Sequence, residues 1–302
     1  MSNPYAQHNQ ESKANFDHVY DLPDPRGYFE TLGSLDYLAP EHGRRFFSAL
    51  LESMRGAAGE YPKVLDLCCS YGVNAALLKY DLTLDDLYAR YASKELSDLS
   101  TDELVAADTK FYRSHEKDSP TRITGVDVAA RAVSYARRVG LLDAGAAENL
   151  EESEPSEGLR RAAKGTGLVT VTGGVGYVWE RTFERVLSCV MDDPDGGDAA
   201  DEPLWVATLP VRFVDYAPIA AVLARRGLVT EKLSLRTFPQ RRFADAAEKE
   251  HALRELAARG IDPTGKEDTG WYHADLYLSR PAEQVAEASV DELLGASGAL
   301  DY

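Results

Sequence analysis

From residue 63 to residue 279 the chain alternates short apolar runs with amphipathic helical stretches, and few folds accommodate that rhythm. KVLDL (63–67) predicts a first strand, followed by a helix over GVNAALLKY. RITGVDV (122–128), GAAENL (145–150), LVTVT (168–172) and LWVATLPV predict four more strands, and a sixth is expected at about 229–238. Helices are expected between them, with Ala132, Val133, Ala136 and Val139 inward in one and Phe183, Val186, Leu187 and Val190 in the next. Residues 243–258 predict a charged helix, and WYHADLYLS (271–279) a last strand. Such alternation implies an α/β fold: a doubly wound, mostly parallel sheet with helices on both faces. In these sheets ligands bind outside the carboxyl ends of the strands, where strand order reverses.

One spacing breaks the rhythm. The first strand ends in DLCCSYG and the second in GVDV, so Asp66 and Asp127 stand 61 residues apart. A nucleoside-binding βαβ unit places its ribose-binding acid roughly 20 residues after the first turn. Residues 81–120 carry two helical stripes of their own, Leu84, Leu87, Tyr88 and Tyr91, then Leu104, Ala107 and Phe111. Thr83 with Asp86, and Ser100 with Glu103, start them in the manner of capping boxes. Setting that block of 40 residues aside leaves a gap of 21, which makes 81–120 an insertion and Asp127 the ribose acid. A carboxylate suits the task because it accepts hydrogen bonds from both ribose hydroxyls.

Composition narrows the partners. Fifty acidic against 33 basic residues give the 302-residue chain a formal charge of −17. An acidic surface repels phosphate backbones and anionic bilayers, which excludes nucleic acid and membrane as expected partners. No apolar run approaches the ~18 residues of a spanning helix, and the polar start MSNPYAQHNQESKANF lacks a signal-peptide core. Cys68, Cys69 and Cys189 form no disulfide framework and no CxxC pair. The acidic loop at 191–203 lacks EF-hand spacing, so no metal site is expected. A cytoplasmic protein is the expectation.

The ordered series VLDLCCSYGVNAALL, ITGVDVAARAVSYARRVGL, AENLE and TVTGGVGYV resembles the class I S-adenosylmethionine-dependent methyltransferases over about residues 41–280. The resemblance implies a seven-stranded sheet whose antiparallel last strand inserts beside the sixth. It assigns the methionine part of the cofactor to the turn Asp66, Cys68, Ser70, Tyr71 and Gly72. The ribose goes to Asp127, the adenine face to Val128, the adenine edge to Asn149, and the transferring end to Thr172 and Gly173. The family's first motif has glycines at alternate places, and this chain has Cys68 and Ser70 there. Side chains at those positions obstruct a dinucleotide pyrophosphate, whose backbone cradle requires glycine. They are tolerable beside a cofactor without phosphate.

The implied activity is methyl transfer to a small molecule. The Ala-, Arg-, Asp- and Gly-heavy usage resembles that of high-GC bacteria, where relatives of this family often serve specialised metabolism. The alternatives are a non-catalytic or repurposed binder of S-adenosylmethionine and, behind it, a nicotinamide-dependent oxidoreductase. Residues 1–40 form an N-terminal extension, 81–120 a helical insertion and 281–302 a tail with a short helix at 290–294. Tyr28 and Tyr37 belong either to a packed helix or to a lid. The insertion is a candidate substrate cover or homodimer interface. His42 and His115, in cover-like segments, are the candidate general bases.

Overall fold

Five parallel strands form the centre of the molecule: β1 (Lys63–Leu67), β2 (Ile123–Asp127), β3 (Ala144–Ala147), β4 (Thr166–Thr172) and β5 (Trp205–Leu209). The structure is a computed structural model and describes residues 17–57, 59–118, 120–192 and 203–301. The sheet is completed by β6 (Leu228–Lys232) and β9 (Tyr277–Pro281) in the order β3-β2-β1-β4-β5-β9-β6. β9 runs antiparallel to both neighbours. Order reverses between β1 and β4, so the carboxyl ends of these two strands, with β2 beside them, frame the crevice.

Alternation along each strand decides which face a side chain serves. Val64, Ile123, Leu168 and Ala207 pack with helices Ala39–Ser53, Val73–Lys79 and Ala130–Arg138. Leu65, Leu67, Val126, Val169 and Val171 face the other way, against helices Glu157–Ala163, Glu180–Met191 and Ala217–Arg225. Both faces are covered, which is why these strands read as nearly continuous apolar runs. Asp66, Thr170 and Thr172 break that pattern on the first face.

The two helices of the block 81–120 start where expected. Thr83 with Asp86 and Ser100 with Glu103 form complete capping boxes on helices Leu84–Tyr91 and Thr101–Arg113, with a short extra turn, Lys94–Ser97, between them. Helix Leu84–Tyr91 packs on helix Arg26–Gly33 of the N-terminal extension.

The carboxyl-terminal third departs from the expected pattern. The sixth strand ends at Lys232 rather than running on to 238. Phe238–Arg242 is a separate strand, β7, paired antiparallel with β8 (Trp271–Ala274) in a two-stranded sheet. The expected single strand 271–279 is therefore two strands, parted at Asp275 and Leu276. Asp275 N donates to Pro210 O (2.9 Å) and Leu233 N to Leu276 O (2.9 Å), so the chain is pinned as it changes sheets. The tail carries two helices, Ala282–Glu287 and Val290–Ala296, where one was expected. Most of the expected loose tail 1–18, and the acidic stretch 193–202, lie outside the described residues.

Candidate functional site

The turn after β1 is built from unusual backbone. Cys68 (φ 60°) and Ser70 (φ 47°) both adopt the left-handed conformation, at the two places where the resembling family has glycine. Such a conformation costs a non-glycine residue roughly 1–2 kcal/mol, so the surroundings must hold the turn in place. Cys68 N and Cys69 N both donate to Val126 O, and Ser70 N donates to Asp127 Oδ2 at 2.8 Å. Gly72 (φ 77°) then opens helix Val73–Lys79. A Cβ there would stand 3.1 Å from Ala136 Cβ and 3.2 Å from Leu141 Cβ. Glycine is thus kept where both conformation and close approach demand it.

Asp127 sits one residue beyond the Leu67–Val126 pair of the β1–β2 ladder, beside the turn. Its Oδ1 accepts from Ala129 N (2.9 Å) and its Oδ2 from Ser70 N. Each carboxylate oxygen has a second lone pair. Burial raises its pKa, and the backbone N–H donors pull the other way. Val128, next in the chain, is an apolar side chain left 65% exposed at this edge.

Asp66 lies below the turn, fully buried. Its Oδ1 accepts from Thr170 Oγ1 (2.8 Å) and from Asn74 Nδ2 (2.9 Å), and Asn74 Nδ2 also donates to Thr172 Oγ1 (3.0 Å). Burial pushes the Asp66 carboxyl up to about 6. Asp66 Oδ2, Asn74 Oδ1 and Ser70 Oγ are buried with no hydrogen-bond partner. Buried polar atoms are normally satisfied, so three orphans on one strand-turn-helix unit point to a polar ligand. Burial and the nearby Asp127 carboxylate hold the Cys68 and Cys69 thiols well above their ordinary values. Neither is therefore activated as a nucleophile.

The carboxyl end of β4 completes the crevice. Gly173 is left-handed (φ 72°), and a Cβ on it would fall 2.6 Å from the Tyr37 hydroxyl and 3.4 Å from Gln240 Nε2. The N-terminal extension and the two-stranded β7–β8 sheet thus meet over this turn. Leu38 N donates to Gln240 O (2.7 Å), Arg242 N to Leu35 O (2.8 Å), and Arg242 Nε to Asp36 Oδ2 (2.6 Å). The Tyr71 hydroxyl donates to Leu22 O at 2.9 Å, holding the extension against the β1 turn.

The expected site residues divide accordingly. Asp66, Cys68, Ser70, Tyr71, Gly72, Asp127, Val128, Thr172 and Gly173 share the carboxyl edge of β1, β2 and β4. Asn149 follows β3, is exposed, and accepts from Glu151 N (3.0 Å) in a local turn. The neighbouring Glu148 accepts from Ser156 N and Ser156 Oγ. Tyr28 is a core residue, edge-on to Tyr20, Phe29 and Tyr71. Tyr37 is the lid candidate that reaches the crevice.

Neither histidine is placed as a base. His42 is buried against Phe238 and donates from Nε2 to Pro239 O (2.9 Å), and burial drops its pKa to about 4. His115 lies beyond the far end of helix Val73–Lys79, where Asp81 N donates to its carbonyl, at the amino edge of the sheet. There it borders a depression of about 470 Å³ lined by Asp86, Arg90, Glu95 and Phe111, away from the crevice. Sequence reasoning missed Asn74, Thr170 and Gln240. For Asn74 the signal was present: an amide between apolar residues on the inward face of a short helix.

Strand order, the reversed β9 and the paired turns after β1 and β2 define the class I S-adenosylmethionine-dependent methyltransferase fold. No family model and no curated protein matches the chain. Similar solved structures include a TehB-like S-adenosylmethionine-dependent methyltransferase from Corynebacterium glutamicum, with 15% identity, TM-score 0.35, and 76% of this chain and 85% of that one covered. The plantazolicin methyltransferase BpumL, solved with S-adenosylhomocysteine, has 10% identity, TM-score 0.39, and coverage of 92% and 100%. The mitomycin 7-O-methyltransferase MmcR has 14% identity, TM-score 0.38, and coverage of 92% and 66%.

Proposed function

We propose that this protein transfers a methyl group from S-adenosylmethionine to a small-molecule acceptor. The observation that carries the reading is the convergence of Asp66, Asp127 and three orphaned buried polar atoms on one carboxyl edge. The residues fit the cofactor. Asp127 has lone pairs for two ribose hydroxyls, Val128 offers an apolar face to a base, and the β1 turn offers acceptors to an amino-acid arm. Side chains at Cys68 and Ser70 leave no glycine cradle for a pyrophosphate, which disfavours a nicotinamide dinucleotide.

When bound, the cofactor supplies an electrophilic methyl carbon on a sulfonium. The chain's own contribution is placement. Tyr37 and Gln240 border Gly173, where the acceptor would be aligned, and the extension and the β7–β8 sheet meet above them. Proximity alone supplies up to ~7–11 kcal/mol of a barrier when reacting atoms are held in line. Burial keeps the Tyr37 phenol protonated, so it serves as a hydrogen-bond donor.

The test is incubation with methyl-labelled S-adenosylmethionine and an extract of the producing cells, followed by mass spectrometry. The expected result is one labelled small molecule that is absent when boiled protein is used. Labelled protein or nucleic acid would assign another acceptor class. Cofactor binding with no labelled product at all would leave the alternative of a repurposed binder.

A further inference from the structure

We propose that Gln240, set out of register in β7, selects the methyl acceptor, and that this acceptor is a flat, uncharged molecule presenting an amide edge. The inference rests on the methyl-transfer reading above and names the substrate class for it. β7 lies outside the seven-stranded sheet. Its Pro239 pairs with His273 and its Arg241 with Tyr272, two neighbours in β8, so Gln240 is the extra residue of a bulge. A bulge re-aims a side chain. Here the amide is brought to the end of β4, where Nε2 stands 3.4 Å from the place of a Cβ on Gly173. Leu38 N donates to Gln240 O (2.7 Å), which fixes the backbone behind that amide. Gln240 is 7% exposed, yet its side-chain amide makes no hydrogen bond to any of the described residues. Buried amides are normally satisfied, so a ligand group is expected to meet this one.

The groups around that amide decide what the ligand group must be. The atoms nearest the Gly173 position belong to the Tyr37 phenol and the Gln240 amide, both uncharged. The neighbouring cation is already spent. Arg241 donates from Nη1 to Glu248 Oε2 (2.9 Å) and from Nη2 to Glu248 Oε1 (2.5 Å), and its guanidinium lies over the Tyr272 ring at 4.8 Å. A glutamine amide carries two N–H donors and a carbonyl acceptor side by side. A carboxylate answers the donors alone, and an amidinium answers the acceptor alone. An amide answers both, and leaves no charge to be desolvated. Burial first, then the Tyr37 and Tyr177 hydroxyls, raises the Tyr20 phenol, so three rings gather at this end of the crevice. Their faces suit a planar group.

The test is a ligand-observed NMR titration of the protein saturated with S-adenosylhomocysteine, using three probes of one shape: benzamide, benzoate and benzamidinium. The wild type is expected to bind benzamide at least about tenfold more tightly than either charged probe, since one unmet buried hydrogen-bonding group is worth roughly that factor. Gln240→Leu should abolish the preference while shifting S-adenosylhomocysteine affinity by less than about threefold, which also shows that the variant is folded. Gln240→Glu keeps the shape and should turn the preference toward benzamidinium, and it carries the test if the leucine variant unfolds. A charged probe bound as tightly as benzamide by the wild type, no binding of any of the three, or a benzamide preference that survives in Gln240→Leu or Gln240→Glu would overturn the assignment. A wild type that does not bind S-adenosylhomocysteine would instead overturn the methyl-transfer reading, and the same three titrations on the unliganded protein would still decide what Gln240 selects.

Discussion

Asp127→Ala should lose S-adenosylhomocysteine binding by about a hundred- to ten-thousandfold. Two hydrogen bonds from ribose hydroxyls to a carboxylate are each worth about 1.5–3 kcal/mol, and every 1.4 kcal/mol is tenfold in affinity. The effect has a second, structural source. Without the carboxylate, Ser70 N and Ala129 N lose their acceptor. Ser70 is held in a left-handed conformation that its side chain disfavours. The turn that carries the ligand would relax, and folding stability should fall by about 1–3 kcal/mol. Asp127→Asn keeps one acceptor oxygen and should fall between the two. Calorimetry and urea unfolding on the three proteins separate the contributions. Unchanged affinity in Asp127→Ala would show that this carboxylate does not touch the ligand.

Asp108→Ala is expected to be the most destabilising single change in the insertion, at about 3–5 kcal/mol. Asp108 is fully buried. Its Oδ2 accepts from the hydroxyls of Tyr91 (2.6 Å) and Tyr135 (2.5 Å), and its Oδ1 from Arg90 Nε (2.8 Å) and Arg90 Nη2. Arg90 lies over the Phe111 ring at 4.0 Å. One carboxylate therefore joins both long inserted helices to helix Ala130–Arg138 of the βαβ unit. Its removal leaves a guanidinium uncompensated and the buried Tyr135 hydroxyl without its acceptor, while Tyr91 keeps its contact with the Tyr112 hydroxyl (3.1 Å). Ligand affinity at low temperature should change by less than about threefold, because among the described contacts the network meets the β1 turn through ring packing of Tyr135 on Tyr71 and not through a hydrogen bond. A urea midpoint within the error of wild type would show that the insertion is not anchored through this residue.

The central sheet was legible because its physics is local. KVLDL, RITGVDV and LVTVT are apolar runs of strand length, and the capping signals at Thr83 and Ser100 stand in the sequence. The place of Asp127 beside the β1 turn was legible through a spacing, once the two capped helices had been set aside. Two kinds of feature were not legible. WYHADLYLS has continuous strand propensity, and only tertiary pairing of Trp271–Ala274 with Phe238–Arg242 divides it between sheets. The histidines looked chemically useful, but a residue's use depends on its neighbours. His42 spends a ring nitrogen on Pro239, and His115 stands at the wrong end of the sheet. Cys68 and Ser70, which weaken the motif as a string, take up in space the backbone conformation that glycine would have taken.

The nucleoside ligand that the crevice between β1, β2 and β4 accepts decides the chemistry of the site. Parallel titrations of the wild-type protein with S-adenosylhomocysteine and with NAD address that directly. The expected result is saturable, one-to-one binding of S-adenosylhomocysteine and no measurable heat from NAD. Saturable NAD binding in the absence of any response to S-adenosylhomocysteine would contradict it.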